Sequence, residues 1–208
     1  MNIFFMGTPE FAVPTLDILN KKYNVIGVFT QPPRPSGRGM KEIKSSIQEY
    51  SEKNKLNFYT PNNLKKDETL KLLKSLNPDL IVVVAYGLLI PEVILKIPSY
   101  GCINGHASLL PKWRGAAPIQ RAIEAGDIKT GCTSMLMEKG LDTGPMIHKK
   151  EILIKMDNDV IDLFKSLSLL TAECLHETIQ KLISGDSKQT RQNNLKASSI
   201  FSLTFIAI

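Results

Sequence analysis

Asn104 and His106, separated by Gly105, stand immediately before the turn-forming run Ala107-Ser108-Leu109-Leu110-Pro111-Lys112-Trp113-Arg114. Alternate residues of a strand share a face, so the amide and the imidazole project together while Gly105 points the other way. An amide N–H donates to a developing oxyanion and an imidazole carries a proton, two services that acyl transfer to an amine requires. The same residues also suit a polar strand end that ties down the following loop. A carboxylate enters from a second segment: Asp142 lies in Gly140-Leu141-Asp142-Thr143-Gly144-Pro145, just past the apolar alternating stretch 133–137. Loops after strand ends are where α/β proteins place their chemistry. A tight turn in which Asp142 bonds its own backbone fits those residues as well.

Apolar strands alternating with longer helical patterns are what must position these groups. Hydrophobic spacing predicts strands at 2–6, 25–30, 80–85, 102–106, 133–137 and 146–154. Helices are predicted at 45–55, 68–76, 117–125 and 159–183, the last with Val160, Phe164, Leu167 and Cys174 along one side. Thr8 is a candidate cap, with Pro9 at the first helical position after the first strand. The alternation implies an α/β chain with a predominantly parallel sheet and helices on both faces. A dinucleotide site is disfavoured, because Gly7-Thr8-Pro9-Glu10-Phe11-Ala12 offers one glycine where the pyrophosphate fingerprint needs three.

Composition narrows the class without fixing it. A chain of 208 residues, 43% hydrophobic and 22% charged, has the make-up of an ordinary globular protein with one substantial core. Its formal charge of +6 favours an anionic partner and is equally compatible with a mildly basic enzyme that has none. Cys102, Cys132 and Cys174 are odd in number and lack C-x-x-C spacing, so they read as reduced core residues rather than a disulfide framework or a metal site. His148 and His176 lack partners at ligand spacing. The N-terminus reads as having no secretory signal and no stretch approaches a membrane span, so a cytoplasmic location and no membrane partner are expected. Gln31-Pro32-Pro33-Arg34-Pro35-Ser36-Gly37-Arg38-Gly39-Met40-Lys41 reads as a basic loop incompatible with regular structure.

In combination and order, five stretches carry a resemblance: residues 5–12 and 27–32, Val83-Val84-Ala85-Tyr86-Gly87, residues 108–120, and residues 140–146. Together with Asn104-Gly105-His106 they make the chain similar to the methionyl-tRNA formyltransferases, from Met1 to about Ala197. The resemblance implies a Rossmann-like sheet used without a nicotinamide cofactor or a metal. It implies formyl transfer from 10-formyltetrahydrofolate to the α-amine of methionyl initiator tRNA. Asn104 would hydrogen-bond the formyl oxygen, His106 would help stabilise it and manage protons, and Asp142 would orient the imidazole or take the amine proton through a water. Whether His106 or Asp142 is the base stays open. Folate would contact Ser108, Leu109, Leu110 and Pro111 through backbone amides and apolar walls, with Val84, Tyr86, Gly87 and Leu88 as another wall. Arg34, Arg38 and Lys41 would contact the tRNA, whereas Trp113 and Arg114 read as a packed pair.

Departures from the family pattern carry their own expectations. Met40-Lys41-Glu42 and Ser45-Ser46-Ile47-Gln48 replace more basic family segments, which removes two positive charges and weakens phosphate binding. Gly105 stands where the family has a branched apolar residue; on that basis Gly105→Val is expected to raise the melting temperature without reducing turnover. The expected division is a catalytic domain over 1–185, followed over 186–208 by a linker and a truncated tail, the family's tRNA-binding barrel being absent and the chain monomeric. Proteolysis is expected to remove the residues beyond Gly185. Two other functions stay open: formyl transfer to a small amine such as a sugar nucleotide, and a non-catalytic remnant that binds folate or RNA.

Overall fold

The computed structural model describes residues 1–36, 41–155 and 159–198, without the side chains of Ser36 and Lys41. In chain order the elements are β1 (Asn2–Gly7), α1 (Val13–Lys22), β2 (Asn24–Phe29), β3 (Arg34–Ser36), β4 (Lys41–Ile43), α2 (Ser46–Lys53), β5 (Phe58–Tyr59) and α3 (Asp67–Leu76). They continue with β6 (Leu80–Val84), α4 (Glu92–Leu95), β7 (Cys102–His106), α5 (Pro118–Glu124), β8 (Lys129–Leu136), β9 (Met146–Leu153) and α6 (Val160–Ser184). The main sheet has the order β5-β2-β1-β6-β7-β8-β9, parallel from β5 to β7 and antiparallel at β8 and β9. From β1 the chain builds first toward β2 and then returns to β6 on the opposite side. The crevice at the carboxyl ends of β1 and β6 is therefore a switch point of the kind where open α/β sheets place ligands.

Side-chain alternation explains why the sheet is covered twice. Ile3 and Phe5 of β1, Leu80, Val82 and Val84 of β6, and Ile103 of β7 face the core that contains Leu16 and Leu19 of α1, Ile119 of α5, and Leu167, Leu175 and Ile179 of α6. Phe4, Met6, Ile81, Val83 and Cys102 face the opposite core with Leu73 of α3 and Ile94 of α4. Each such fully buried large side chain contributes about 1.5–3 kcal/mol over its exposed state, so the central strands form a rigid platform. Asn104 and His106 share the parity of Cys102, and Gly105 that of Ile103.

Several expectations are corrected. Thr8 does not cap a helix: a 3₁₀ turn, Glu10–Ala12, precedes α1, and the Thr8 hydroxyl donates instead to the Tyr86 carbonyl at 2.8 Å. On α6, Val160 is 42% exposed and the buried stripe begins at Leu163, after Asp159 caps the helix by accepting from the Asp162 N–H at 2.7 Å. The basic segment is not wholly irregular, since β3 and β4 pair antiparallel, Arg34 opposite Ile43 and Pro35 opposite Glu42. A two-stranded sheet is all edge, where proline is tolerated. Arg38 lies outside the described residues, as does the side chain of Lys41.

Gly105 is also corrected. A Cβ built there would sit 2.7 Å from Thr171 Cγ2 and 2.8 Å from Leu175 Cδ1, so α6 already occupies the space a family residue would fill. Gly105→Val is therefore expected to overpack the α6 interface by about 1–3 kcal/mol. At roughly 2–4 °C per kcal/mol for a chain of this size, calorimetry should show a melting temperature lower by several degrees. A rise would mean that α6 retreats without penalty.

The polar stretch after Gly185, expected as a linker, is tied to the sheet. Thr190 and Met146 exchange backbone hydrogen bonds of 2.9 and 2.8 Å at the start of β9. Ser198 then reaches the 113–114 backbone, accepting at Oγ from the Trp113 N–H at 2.8 Å and at its carbonyl from the Arg114 N–H at 3.0 Å. Release of the residues beyond Gly185 would have to break these bonds, although Gly185 itself is exposed at the end of α6.

Candidate active site

Strand β7 delivers Asn104 and His106 on one face, and the antiparallel course of β8 delivers the carboxylate. Leu136, the end of β8, pairs with Ile103, and the Met137 N–H donates to the Cys102 carbonyl at 2.7 Å. The loop carrying Asp142 therefore leaves beside the start of β7 and folds back over the face that bears the amide and the ring. Asp142 ends in a left-handed backbone conformation, φ +50°, which asparagine and aspartate tolerate better than other residues.

The three side chains converge. Asn104 Nδ2 donates to Asp142 Oδ1 at 3.3 Å, and Asp142 Oδ2 lies 3.5 Å from His106 Nδ1. Oδ2 also accepts the Gly115 N–H at 2.9 Å, so Asp142 is fixed from the second loop and does not merely close its own turn. His106 Nε2 lies 2.7 Å from the Trp113 carbonyl. A carbonyl only accepts, so Nε2 carries a proton and Nδ1 is the nitrogen turned to the carboxylate. The side chains of His106 and Asp142 are 7% and 12% exposed, which strengthens these polar contacts relative to water. Asn104 is half-buried, and the second N–H of its amide has no partner among the described residues.

The run 108–111 behaves differently from the expectation. Ser108 and Leu110 are fully buried. The Ser108 N–H donates to the His106 carbonyl at 2.9 Å and its hydroxyl to the Lys112 carbonyl at 2.6 Å. The Leu110 N–H is taken by Thr133 Oγ1 at 3.0 Å, the same hydroxyl that donates to the Ser108 carbonyl at 2.7 Å. These groups brace the turn that follows the strand, and their amides are not open to a ligand. Leu109 lines a separate cavity of about 620 Å³ with Lys112, Trp113, Asp127 and Ile128, while Pro111 is half-buried.

At the end of β6, Val84 is buried in one core, and just beyond it Tyr86, 2% exposed, turns its ring into the other. Burial pushes the Tyr86 hydroxyl pKa upward, and its oxygen has no partner among the described residues. The Tyr86 side chain is thus core rather than pocket wall. Its carbonyl accepts from Thr8 Oγ1 and, at 2.9 Å, from Gln31 Nε2. Gly87, at φ +83°, permits this approach, because a Cβ there would meet Gln31 Nε2 at 2.2 Å. Gly87 is exposed and Leu88 half-buried, which leaves these two as the accessible part of the predicted wall. Arg34 Nη2 donates to Gln31 Oε1, so the exposed guanidinium is joined through Gln31 to the Tyr86 carbonyl.

Trp113 and Arg114 do not pack on each other as a pair. Trp113 Nε1 donates to Asp127 at 2.9 Å with Lys112 Nζ 5.1 Å from its ring centre, whereas Arg114 turns to Gln192 and Asn194. His148 bonds Glu177 at 2.7 Å and Lys181 at 2.8 Å, and His176 meets Tyr23 at 2.7 Å. Among the described residues no group of three or more His, Cys, Asp and Glu is arranged to hold a metal ion, and no helix is long and apolar enough to cross a membrane. Sequence reasoning did not identify the Trp113 carbonyl, the Gly115 N–H or Gln192. Backbone contacts leave no mark on residue type, and Gln192 lies in a polar stretch that reads as solvated.

The mostly parallel sheet, with Asn104 and His106 on β7 and Asp142 folded back onto them from the loop after β8, makes this an α/β chain of Rossmann-like form. The chain belongs to the formyl transferase family, whose model matches residues 1–179. It is 48% identical over 199 residues to a methionyl-tRNA formyltransferase of Alkaliphilus metalliredigens (strain QYMF), covering 95% of this chain and 63% of that relative. The chain thus spans a little under two thirds of the length of such curated relatives. The fold matches a phosphoribosylglycinamide formyltransferase from Anaplasma phagocytophilum with a TM-score of 0.76 at 16% identity, covering 93% of this chain and 95% of that one. An N-formyltransferase from Helicobacter canadensis in complex with folinic acid and dTDP-3-aminofucose matches with a TM-score of 0.71 at 18% identity, covering 95% of this chain and 70% of that one.

Proposed function

We propose that this chain transfers a formyl group from 10-formyltetrahydrofolate to the α-amine of methionyl initiator tRNA in the cytoplasm. The observation that carries the reading is the convergence of Asn104, His106 and Asp142, with Nδ2 at 3.3 Å and Nδ1 at 3.5 Å from the two carboxylate oxygens. The near-half identity to a protein named methionyl-tRNA formyltransferase supports the acceptor, and the folinic acid held by the Helicobacter canadensis neighbour supports the donor class. The bound donor supplies an activated formyl carbonyl. The donor set fits it: one amide N–H free among the described residues, beside an imidazole in a largely water-excluded corner.

Asn104 directs its free N–H at the oxygen that becomes negative, an interaction stronger in the transition state than in the ground state. Asp142 holds that amide by its other N–H and holds His106 by Nδ1. With Nε2 committed to the Trp113 carbonyl, proton traffic falls to the Nδ1–Asp142 side, where the pair takes up the proton shed by the attacking amine. Gly87 and Leu88 would border the donor, and Arg34, Arg38 and Lys41 would meet the tRNA phosphates.

Incubation with 10-formyltetrahydrofolate and a panel of amines tests the proposal. Charged initiator tRNA should be formylated and sugar nucleotides left untouched. Product only on a small amine would replace the acceptor. Folate binding with no product on any amine would overturn the reaction itself.

A further inference from the structure

We propose that Gln192 is a positioning residue for the catalytic constellation, acting on Asp142 and His106 from a segment after α6; this rests on the formyl-transfer reading above. Both hydrogens of its amide are used: Nε2 donates to the Asp142 carbonyl at 2.8 Å and to the Gly144 carbonyl at 2.8 Å. Its Oε1 accepts from Arg114 Nε at 2.9 Å. One side chain therefore grips both loops that build the site.

Each grip falls next to a catalytic contact. Asp142 is a non-glycine residue in the left-handed region, a conformation that persists only where neighbours over-determine it. Gln192 bonds the carbonyl of that same residue. On the other loop, Arg114 is 7% exposed and is flanked by the two residues whose backbones touch the site: the Trp113 carbonyl fixes His106 Nε2, and the Gly115 N–H fixes Asp142 Oδ2. Arg114 Nη2 completes the anchor on Asn194 Oδ1 at 3.0 Å. Lysine cannot serve Gln192 and Asn194 at once from fixed, divergent donors as the guanidinium does.

The carboxylate, the ring and the clamp are thus mechanically one unit. When the clamp is lost, Asp142 and Trp113 are free to shift, and with them the hydrogen bond that sets the tautomer of His106. A loss of about 10–100-fold in kcat, with KM changed less than about threefold, is the size expected for removing an orienting partner behind a reacting group.

Nitrogen-edited NMR of the histidine-labelled full chain, run beside formylation kinetics, tests this. In the unaltered protein the His106 signals should report a proton on Nε2. Gln192→Ala should move those signals and lower kcat by the stated factor. Gln192→Glu should do the same, since it keeps the size and the Arg114 partner but cannot donate to two carbonyls; it decides the matter if the alanine variant does not fold. Arg114→Lys should reproduce the effect and add little to Gln192→Ala, whereas Lys188→Ala in the same segment should change neither readout. A fall in melting temperature with unmoved His106 signals and kcat within twofold would show that Gln192 is only structural, and would overturn the proposal. Should the unaltered protein formylate no amine, the reaction reading fails, and the NMR comparison alone still decides the positioning role: moved signals support it and unmoved signals refute it.

Discussion

Asn104→Ala should lower kcat for formyl transfer by roughly 10²–10³-fold while leaving KM nearly unchanged, the signature of a donor that matters only when the carbonyl oxygen becomes an anion. One N–H of the amide is tied to Asp142 Oδ1 at 3.3 Å, which sets the plane of the group and hence the direction of the other N–H. Alanine removes both the aimed donor and the partner of Oδ1. The stability loss should be small, because Asn104 is only half-buried and water can reach the vacated carboxylate oxygen. Steady-state kinetics with saturating formyl donor measures the effect. A kcat within threefold of the parent would mean that Asn104 is a strand-end residue that ties down a loop.

Asp142→Asn is expected to be at least as severe, about 10²–10⁴-fold in kcat, with almost no change in volume. Both oxygens of Asp142 face donors, Gly115 N–H at Oδ2 and Asn104 Nδ2 at Oδ1, with His106 Nδ1 also turned to Oδ2. An asparagine offers one oxygen and one NH₂, so whichever way it flips, a donor is set against a donor. Negative charge beside the ring is lost at the same time. Kinetics paired with calorimetry separates the chemistry from the fold: a large kcat loss with a melting temperature lowered by only a few degrees is expected. Retention of more than a third of the activity would reduce Asp142 to a turn former.

The fold was legible where burial dictates residue type. The all-apolar, Val/Ile-rich 80–84 run has what a strand covered on both faces needs, and β7 emerges over Cys102–His106 because a strand ends where a turn-forming run begins. Periodicity says which side of an element is buried but not what covers it. The family resemblance likewise puts Tyr86 in a pocket wall when its ring lies in a core, and makes Gly105 look like a gap when α6 fills it. Proline and glycine content, the only guide to the basic segment, does not reveal that 34–36 and 41–43 pair with each other. The site was legible to the extent that its chemistry resides in side chains: Asn104 and His106 both reach Asp142, at 3.3 and 3.5 Å. What orients them consists of the Trp113 carbonyl, the Gly115 N–H and a glutamine fifty positions after Asp142, none of which composition or spacing encodes.

Combining Asn104→Ala with Asp142→Asn tests most directly whether these side chains act as one unit on a single reacting carbon. The amide is aimed by the carboxylate, so removing both should cost little more than the worse single change, far short of the product of the two losses. Losses in kcat that multiply in full would contradict that unity and place the two residues in independent roles.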